Sequence, residues 1–88
     1  MRIKGEFVLR EIAGDKILVP IGNTTMEISG MITLDEVGAF IWEQLESGLD
    51  EDQILNKILS VYEVEETVAR TDLQEFLKKM TDEGLIIR

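Results

Sequence analysis

Cysteine and histidine are both absent from this 88-residue chain, and proline occurs only once. The lack of cysteine excludes disulfides, thiolate metal ligands, iron–sulfur ligation and a thiol nucleophile. The lack of histidine removes the commonest general base of enzyme sites. Ser29, Ser47 and Ser60 have no recognisable activating partner in the sequence. We therefore expect a protein that is not an enzyme and that has no catalytic site, no metal site and no cofactor.

Long hydrophobic runs and an excess of positive charge are also missing. No apolar run approaches the ~20 residues that cross a bilayer, and the N-terminus lacks the apolar segment of a secretory signal, so a cytoplasmic location is expected. Eighteen carboxylates against nine lysines and arginines give a net charge of −9. This charge disfavours nucleic acid and anionic membranes as partners. It also opposes self-association, so we expect a monomer or at most a weak homodimer.

Residues 5–32 are predicted to form three antiparallel strands. A rough alternation of side chains marks the first strand, and a turn at Gly14-Asp15 leads to the second, Lys16–Ile21. Gly22-Asn23 is a favourable hairpin turn and leads to the predicted third strand, Thr24–Ile28. This strand is expected at an edge of the sheet, where its free main-chain groups can accept another strand. The alternative is that its short length and Glu27 only protect the edge from aggregation.

Residues 33–83 are predicted to form three helices. The first begins at a Thr33–Glu36 capping box and carries an apolar stripe with Trp42 packed beside it. The second repeats the capping device with Asp50 and Gln53.

The third helix is predicted to run from about residue 65 to residue 83 and to end before Gly84, a residue typical of helix C-termini. Residues 85–87 then form a short strand or a packed tail. The fold class is therefore α+β: a single domain, 1–88, with an N-terminal three-stranded antiparallel sheet followed by a three-helix, winged-helix-like bundle.

A winged-helix shape raises the alternative of a transcriptional regulator or other DNA-binding module. The charge of the third helix argues against it. Residues 65–83 hold Arg70, Lys78 and Lys79 against six carboxylates, a net charge of −3. A helix of this charge is repelled by the phosphates that line the major groove.

The helical part contains an ordered set of short motifs: Leu34-Asp35-x-x-Gly38-Ala39-x-Ile41-Trp42-x-x-Leu45, Asp50-x-x-Gln53-Ile54, Tyr62-Glu63, Asp72-Leu73-x-x-Phe76-Leu77 and Gly84-Leu85-Ile86. Together with the N-terminal segment FVLREIAGDKILV, this ordered set resembles the PqqD family, the coenzyme PQQ synthesis protein D group. The resemblance covers nearly the whole chain. Asp35 and Asp50 stand where the family usually has Asn and Thr, and aspartate can fulfil both capping roles.

The resemblance implies a non-catalytic adaptor for ribosomally made, post-translationally modified peptides. Such an adaptor binds the leader segment of a precursor peptide and presents it to a modifying enzyme, typically a radical S-adenosylmethionine protein, in PQQ biosynthesis or a related pathway. The leader adds as a strand to the third strand and lies between it and the third helix. The alternative that two of the helix residues, Leu73 and Leu77, are pure core stays open. On this chain the implied peptide-binding residues are Thr24, Thr25, Met26, Glu27 and Ile28, with Arg70, Leu73, Leu77 and Lys78 on the helix.

Overall fold

The computed structural model describes residues 1–28 and 30–88, so Ser29 lies outside the described residues. The chain divides into two compact units, a sheet unit (Gly5–Phe40) and a helical unit (Met1–Lys4 with Ile41–Arg88). The α+β class, with a three-stranded antiparallel sheet, then helices and a short C-terminal strand, is confirmed. The elements in chain order are β1 (Arg2–Ile3), β2 (Phe7–Ile12), β3 (Asp15–Pro20), α1 (Thr24–Glu27), β4 (Ile32–Leu34), α2 (Glu36–Glu46), α3 (Glu51–Val61), α4 (Glu66–Asp82) and β5 (Ile86–Ile87).

The sheet of the sheet unit has the antiparallel order β2-β3-β4, with β3 in the centre. Ala13 and Gly14, with φ angles of 52° and 87°, form the tight turn between β2 and β3. Two successive positive φ angles match the right-handed twist of the flanking strands. Because side chains alternate along each strand, the register places one apolar set on the same face: Phe7, Leu9, Leu18, Ile32 and Leu34.

The predicted third strand, Thr24–Ile28, is wrong, because residues Thr24–Glu27 form the short helix α1. The predicted hairpin turn at Gly22-Asn23 does not form either. Asn23 has helical backbone angles (φ −67°, ψ −18°), and the Met26 amide donates to its carbonyl at 3.1 Å. The third strand of the sheet is β4, several residues further along the chain.

Hydroxyl groups explain why this segment turns instead of extending. The Thr24 side chain is buried, and its Oγ1 accepts a hydrogen bond from the Glu6 amide at 2.8 Å. The Thr25 hydroxyl donates to the Gly22 carbonyl at 2.8 Å. Such local bonds from threonine to the backbone compete with strand pairing. Gly5 leaves room for this arrangement, since a Cβ at Gly5 would lie 2.8 Å from Thr24 Oγ1.

The core of the helical unit is formed by α4 packed on α3 and β5, together with the later turns of α2. Trp42 is fully buried, as expected for a packing residue. The apolar stripes predicted for the helices supply most of this core. Its buried hydrophobic residues are Ile41, Trp42, Leu45, Ile54, Leu55, Ile58, Ala69, Leu73, Leu77, Met80, Leu85 and Ile86.

Side-chain caps fix two helix starts. The predicted capping box of Asp50 and Gln53 is confirmed, with the two reciprocal hydrogen bonds at 2.8 and 2.9 Å. The predicted box of Thr33 and Glu36 is wrong. Asp35 caps the helix instead, since its Oδ1 accepts a hydrogen bond from the Gly38 amide at 2.7 Å. Thr33 belongs to β4.

The C-terminus returns to the N-terminus within the helical unit. After α4, Gly84 (φ 82°) donates to the Thr81 carbonyl, and the Leu85 amide donates to the Met80 carbonyl at 2.8 Å. These two bonds satisfy carbonyls that a helix end otherwise leaves unpaired. The chain then enters β5, which pairs antiparallel with β1 through Arg2↔Ile87 and Ile3↔Ile86.

Candidate functional site

The open edge of β4 is the first feature that can serve a function. β4 stands last in the order β2-β3-β4, and its register with β3 is Leu18↔Ile32, Ile17↔Thr33 and Lys16↔Leu34. In an antiparallel pair, residues alternate between those whose main-chain groups face the partner and those whose groups face away. This alternation therefore determines which residue of β4 directs its main-chain N–H and C=O away from β3.

The turn at Ala13-Gly14 fixes this alternation. A two-residue hairpin is closed by a hydrogen-bonded pair, here Ile12↔Asp15, so Ile17 faces β2 while Lys16 and Leu18 face β4. The Ile21 amide, which donates to the Glu6 carbonyl at 3.0 Å, agrees with this phase. Ile32 and Leu34 consequently bond to β3, and the N–H and C=O of Thr33 point to the open edge.

The open edge is short and is closed at one end. After Leu34, Asp35 belongs to the start of α2, because its carbonyl accepts the Ala39 amide at 2.9 Å and its side chain accepts the Gly38 amide. Thr33 itself is exposed, and Met31, on the other side, has 64% of its surface exposed. A strand added at this edge would therefore meet the free main-chain groups of Thr33 and would extend towards Met31.

The strand edge predicted at Thr24–Ile28 is not present, because Thr24–Glu27 are helical. Thr24 is buried and its hydroxyl is hydrogen-bonded, whereas Thr25, Met26 and Glu27 are exposed. The β-rich run Met31–Leu34 was the signal for the true edge. The Thr-x-x-Glu pattern that begins at Thr33 favours a helix start at the same place, so the sequence alone does not distinguish a strand from a helix cap there.

The four predicted residues of α4 fall into two classes. Leu73 and Leu77 are 1% and 0% exposed, so the alternative that they are core residues is the one the structure shows. Arg70 and Lys78 are exposed, and each pairs with a carboxylate one turn away: Arg70 with Glu66 at 3.2 Å and Lys78 with Asp82 at 2.7 Å. The hydrogen bond and the charge of Asp82 raise the pKa of Lys78 above its usual value.

The C-terminal end of β4 lies beside an acidic depression of about 380 Å³. Four of its lining residues carry carboxylates, and one, Lys16, carries a positive charge that lies 3.5 Å from Glu11. Across residues 1–28 and 30–88, no three His, Cys, Asp or Glu side chains are grouped so that they could hold a metal ion. The depression is lined by Glu11, Gly14, Asp15, Lys16, Leu34, Asp35 and Glu36.

Two of the three serines have structural contacts. The hydroxyl of Ser47 donates to the Glu43 carbonyl at 3.2 Å, and that of Ser60 donates to the Lys57 carbonyl at 2.8 Å. Both bonds lie at or near helix ends, where they satisfy main-chain carbonyls. In the part of the chain that the structure describes, no helix is both long enough and apolar enough to cross a membrane.

Comparison with known proteins identifies relatives of this chain. Residues 6–86 match the family model described as coenzyme PQQ synthesis protein D (PqqD). Among curated proteins, none matches the chain significantly.

Two solved structures share the fold, each with a TM-score of 0.77. The structure described as TbiB1 in complex with the TbiA(beta) leader peptide is 27% identical and aligns with 97% of this chain and 93% of its own. The structure described as lasso peptide synthetase B1 complexed with the leader peptide is 21% identical and aligns with 99% and 96%. Because the family model spans nearly all of the sequence, the chain belongs to the PqqD family.

Proposed function

We propose that this protein is a non-catalytic adaptor that binds the leader segment of a precursor peptide and presents it to a modifying enzyme. The observation that carries the proposal is the likeness, at 27% identity over 97% of the chain, to TbiB1, whose structure holds a leader peptide. Membership of the PqqD family supports the same function. The sequence agrees, since it has neither histidine nor cysteine for chemistry of its own.

The open edge of β4 supplies a physical mode of binding. A peptide that adds as an antiparallel strand satisfies the outward N–H and C=O of Thr33 and gains a pair of main-chain hydrogen bonds. Such pairing tolerates many peptide sequences, because it does not involve side chains. Selectivity then depends on the side chains beside the edge. The binding surface predicted at Thr24–Ile28 is thereby moved to residues 31–34.

The chemistry belongs to the partner enzyme in this proposal. The family resemblance favours a radical S-adenosylmethionine protein that acts in PQQ biosynthesis or a related pathway. The adaptor's contribution is to raise the local concentration of the precursor beside that enzyme, which strengthens a weak encounter without any new contact. Co-purification of the adaptor with a radical S-adenosylmethionine enzyme from the same cells, and loss of peptide modification when the adaptor is omitted, would support this part.

Titration with a synthetic leader peptide tests the binding. The probe is the leader segment of a short precursor peptide identified by searching the genes that neighbour this one, and we expect micromolar or tighter affinity by calorimetry. Main-chain amide shifts should cluster at residues 30–35. Shifts centred on α3 with β4 unchanged, or binding to duplex DNA at physiological salt with no response to the leader, would overturn the proposal.

A matched pair of prolines tests the edge itself. Thr33→Pro removes the outward amide of β4 and should weaken leader binding about tenfold or more, because a hydrogen bond is lost and the proline ring obstructs the approach. The control is Glu11→Pro, which removes an amide that faces the outer edge of β2, the opposite edge of the same sheet. Circular dichroism establishes that both variants fold. Equal losses for the two variants, or a loss for Glu11→Pro alone, would contradict binding at β4.

A further inference from the structure

Met26 and Met31 are the most exposed large hydrophobic residues in the described part of the chain, at 86% and 64%. Both belong to the sheet unit and lie on the segment that leads into β4. Exposing an apolar side chain of this size gives up the free energy that its burial provides. Two such residues within a stretch of six, on the segment that leads into the open edge of β4, offer apolar surface that a bound partner can cover.

We propose that Met26 and Met31 form an apolar seat for a bulky apolar side chain of the peptide that adds to β4. This inference rests on the proposed function and adds the chemistry of one ligand residue to it. Met31 directly precedes β4, so a strand paired with Thr33 must pass it. The added strand cannot continue past Leu34, because Asp35 forms the start of α2 and its side chain and carbonyl accept hydrogen bonds from that helix.

Methionine is suited to this role. Its unbranched side chain and polarizable sulfur adapt to partners of different shape, and methionine is enriched at protein interfaces. A seat of this kind accepts a leucine, a phenylalanine or a tyrosine ring without a dedicated pocket. The ligand residue that it selects is thus defined by apolar bulk rather than by one exact shape.

Net charge favours a peptide over a second copy of the chain as the partner that covers Met26 and Met31. The sheet unit has six carboxylates against two basic residues, and the whole chain has a net charge of −9. Two copies that met at the methionines would bring these like charges together, which opposes association. A short peptide brings far less charge to this point than a second copy of the chain does. The seat is therefore assigned to the peptide.

The four methionines give a direct measurement with internal controls. In protein labelled with ¹³C at the methionine methyl groups, adding the synthetic leader should shift the signals of Met26 and Met31. The signal of Met1, which is 40% exposed, and that of Met80, which is fully buried, should stay in place. Equal shifts of Met1 and Met26 would indicate non-specific contact and overturn the seat. Shifts that follow protein concentration without peptide would assign the surface to self-association instead.

Serine substitutions measure the contribution of the seat. The double variant Met26→Ser, Met31→Ser should bind the leader about tenfold more weakly, because the apolar surface it removes no longer shields the ligand residue from water. Ile12→Ser is the matched control, since Ile12 is 50% exposed and lies at the hairpin end of the same sheet. Replacing the largest apolar residue of the leader by serine should cause a similar loss with wild-type protein and little further loss with the double variant.

The failure of the seat can be distinguished from the failure of the proposed function. If the leader binds and Thr33→Pro weakens it, while the methionine methyl signals and the serine variants show no effect, the seat is wrong and the adaptor function stands. If the leader does not bind at all, both are wrong.

Discussion

The two units differ in how much of their apolar surface they bury. Among the described residues, fifteen hydrophobic side chains are buried; Leu18, Leu34 and Ala39 lie in the sheet unit, and the other twelve belong to the helical unit. The sheet unit carries the two most exposed large hydrophobic residues of the described chain, Met26 and Met31, and the open strand edge of β4. Stability within a protein is uneven, and binding elements come from its less stable parts. We therefore expect the helical unit to be the main source of stability and the sheet unit to be the part that meets a partner.

Leu77→Ala should show the largest effect, because it removes a fully buried side chain from the core of the helical unit. We expect a loss of about 3 kcal/mol in the free energy of unfolding, measured in denaturant. The control is Val68→Ala on the same helix, where the side chain is 49% exposed. Similar losses for the two variants would show that the helical core is not the main source of stability.

Gly5→Ala tests the support of the sheet unit. A Cβ at this position would lie 2.8 Å from Thr24 Oγ1, and Gly5 has a φ of 96°. The expected loss is about 2 kcal/mol, from the strained backbone and the displaced Thr24–Glu6 hydrogen bond. Gly14→Ala has a similar φ of 87° and open space around it, so it should lose only about 1 kcal/mol. Equal losses would mean that the contact with Thr24 contributes little.

Arg70→Glu examines whether the helical unit contributes to binding through charge. Arg70 is exposed and already paired with Glu66, so its attraction for a carboxylate of the leader is partly cancelled. We expect affinity for the leader to fall by less than about threefold, and the difference to vanish at high salt, as for exposed charges in general. Arg10→Glu makes the same charge change in the sheet unit. A tenfold loss for Arg70→Glu alone would make the helical unit a principal binding element.

The smallest effect concerns pH. The Asp82 hydrogen bond raises the pKa of Lys78 above its usual value of 10.5. The stabilisation from the pair is therefore fully present below pH 10.5 and is lost as the pH rises through the higher folded-state pKa. The stability difference between wild type and Lys78→Met should stay constant from about pH 6 to 9 and shrink only in stronger alkali. The matched variant is Lys79→Met. A difference that changes near neutral pH would contradict the assignment to Lys78.

The same contrast explains what the sequence could predict. The helices were found because a period of 3.6 residues, the Asp50–Gln53 box and the Gly84 stop all give the same answer. The sequence misplaces the third strand because Thr24–Ile28 alternates like a strand, whereas the part-buried Thr24–Glu6 hydrogen bond that holds the segment in place joins residues far apart in sequence. Thr33, the centre of the candidate edge, was assigned to a helix cap for lack of the same tertiary information. Whether Leu73 and Leu77 contact a partner or only the core can be decided only from the packing of α4.

The pairing of β1 with β5 places the first and last residues of the chain next to each other. Arg2 lies opposite Ile87, and the Lys4 amide bonds to the Leu85 carbonyl at 2.8 Å, so the two ends leave the fold side by side. A tether of a few residues would join them, and new ends could then be opened at the Ala13-Gly14 turn. An enzyme fused to either end would likewise be anchored at one and the same place. In such a fusion, the position of the enzyme relative to the adaptor would then depend less on which domain comes first than on the length of the linker.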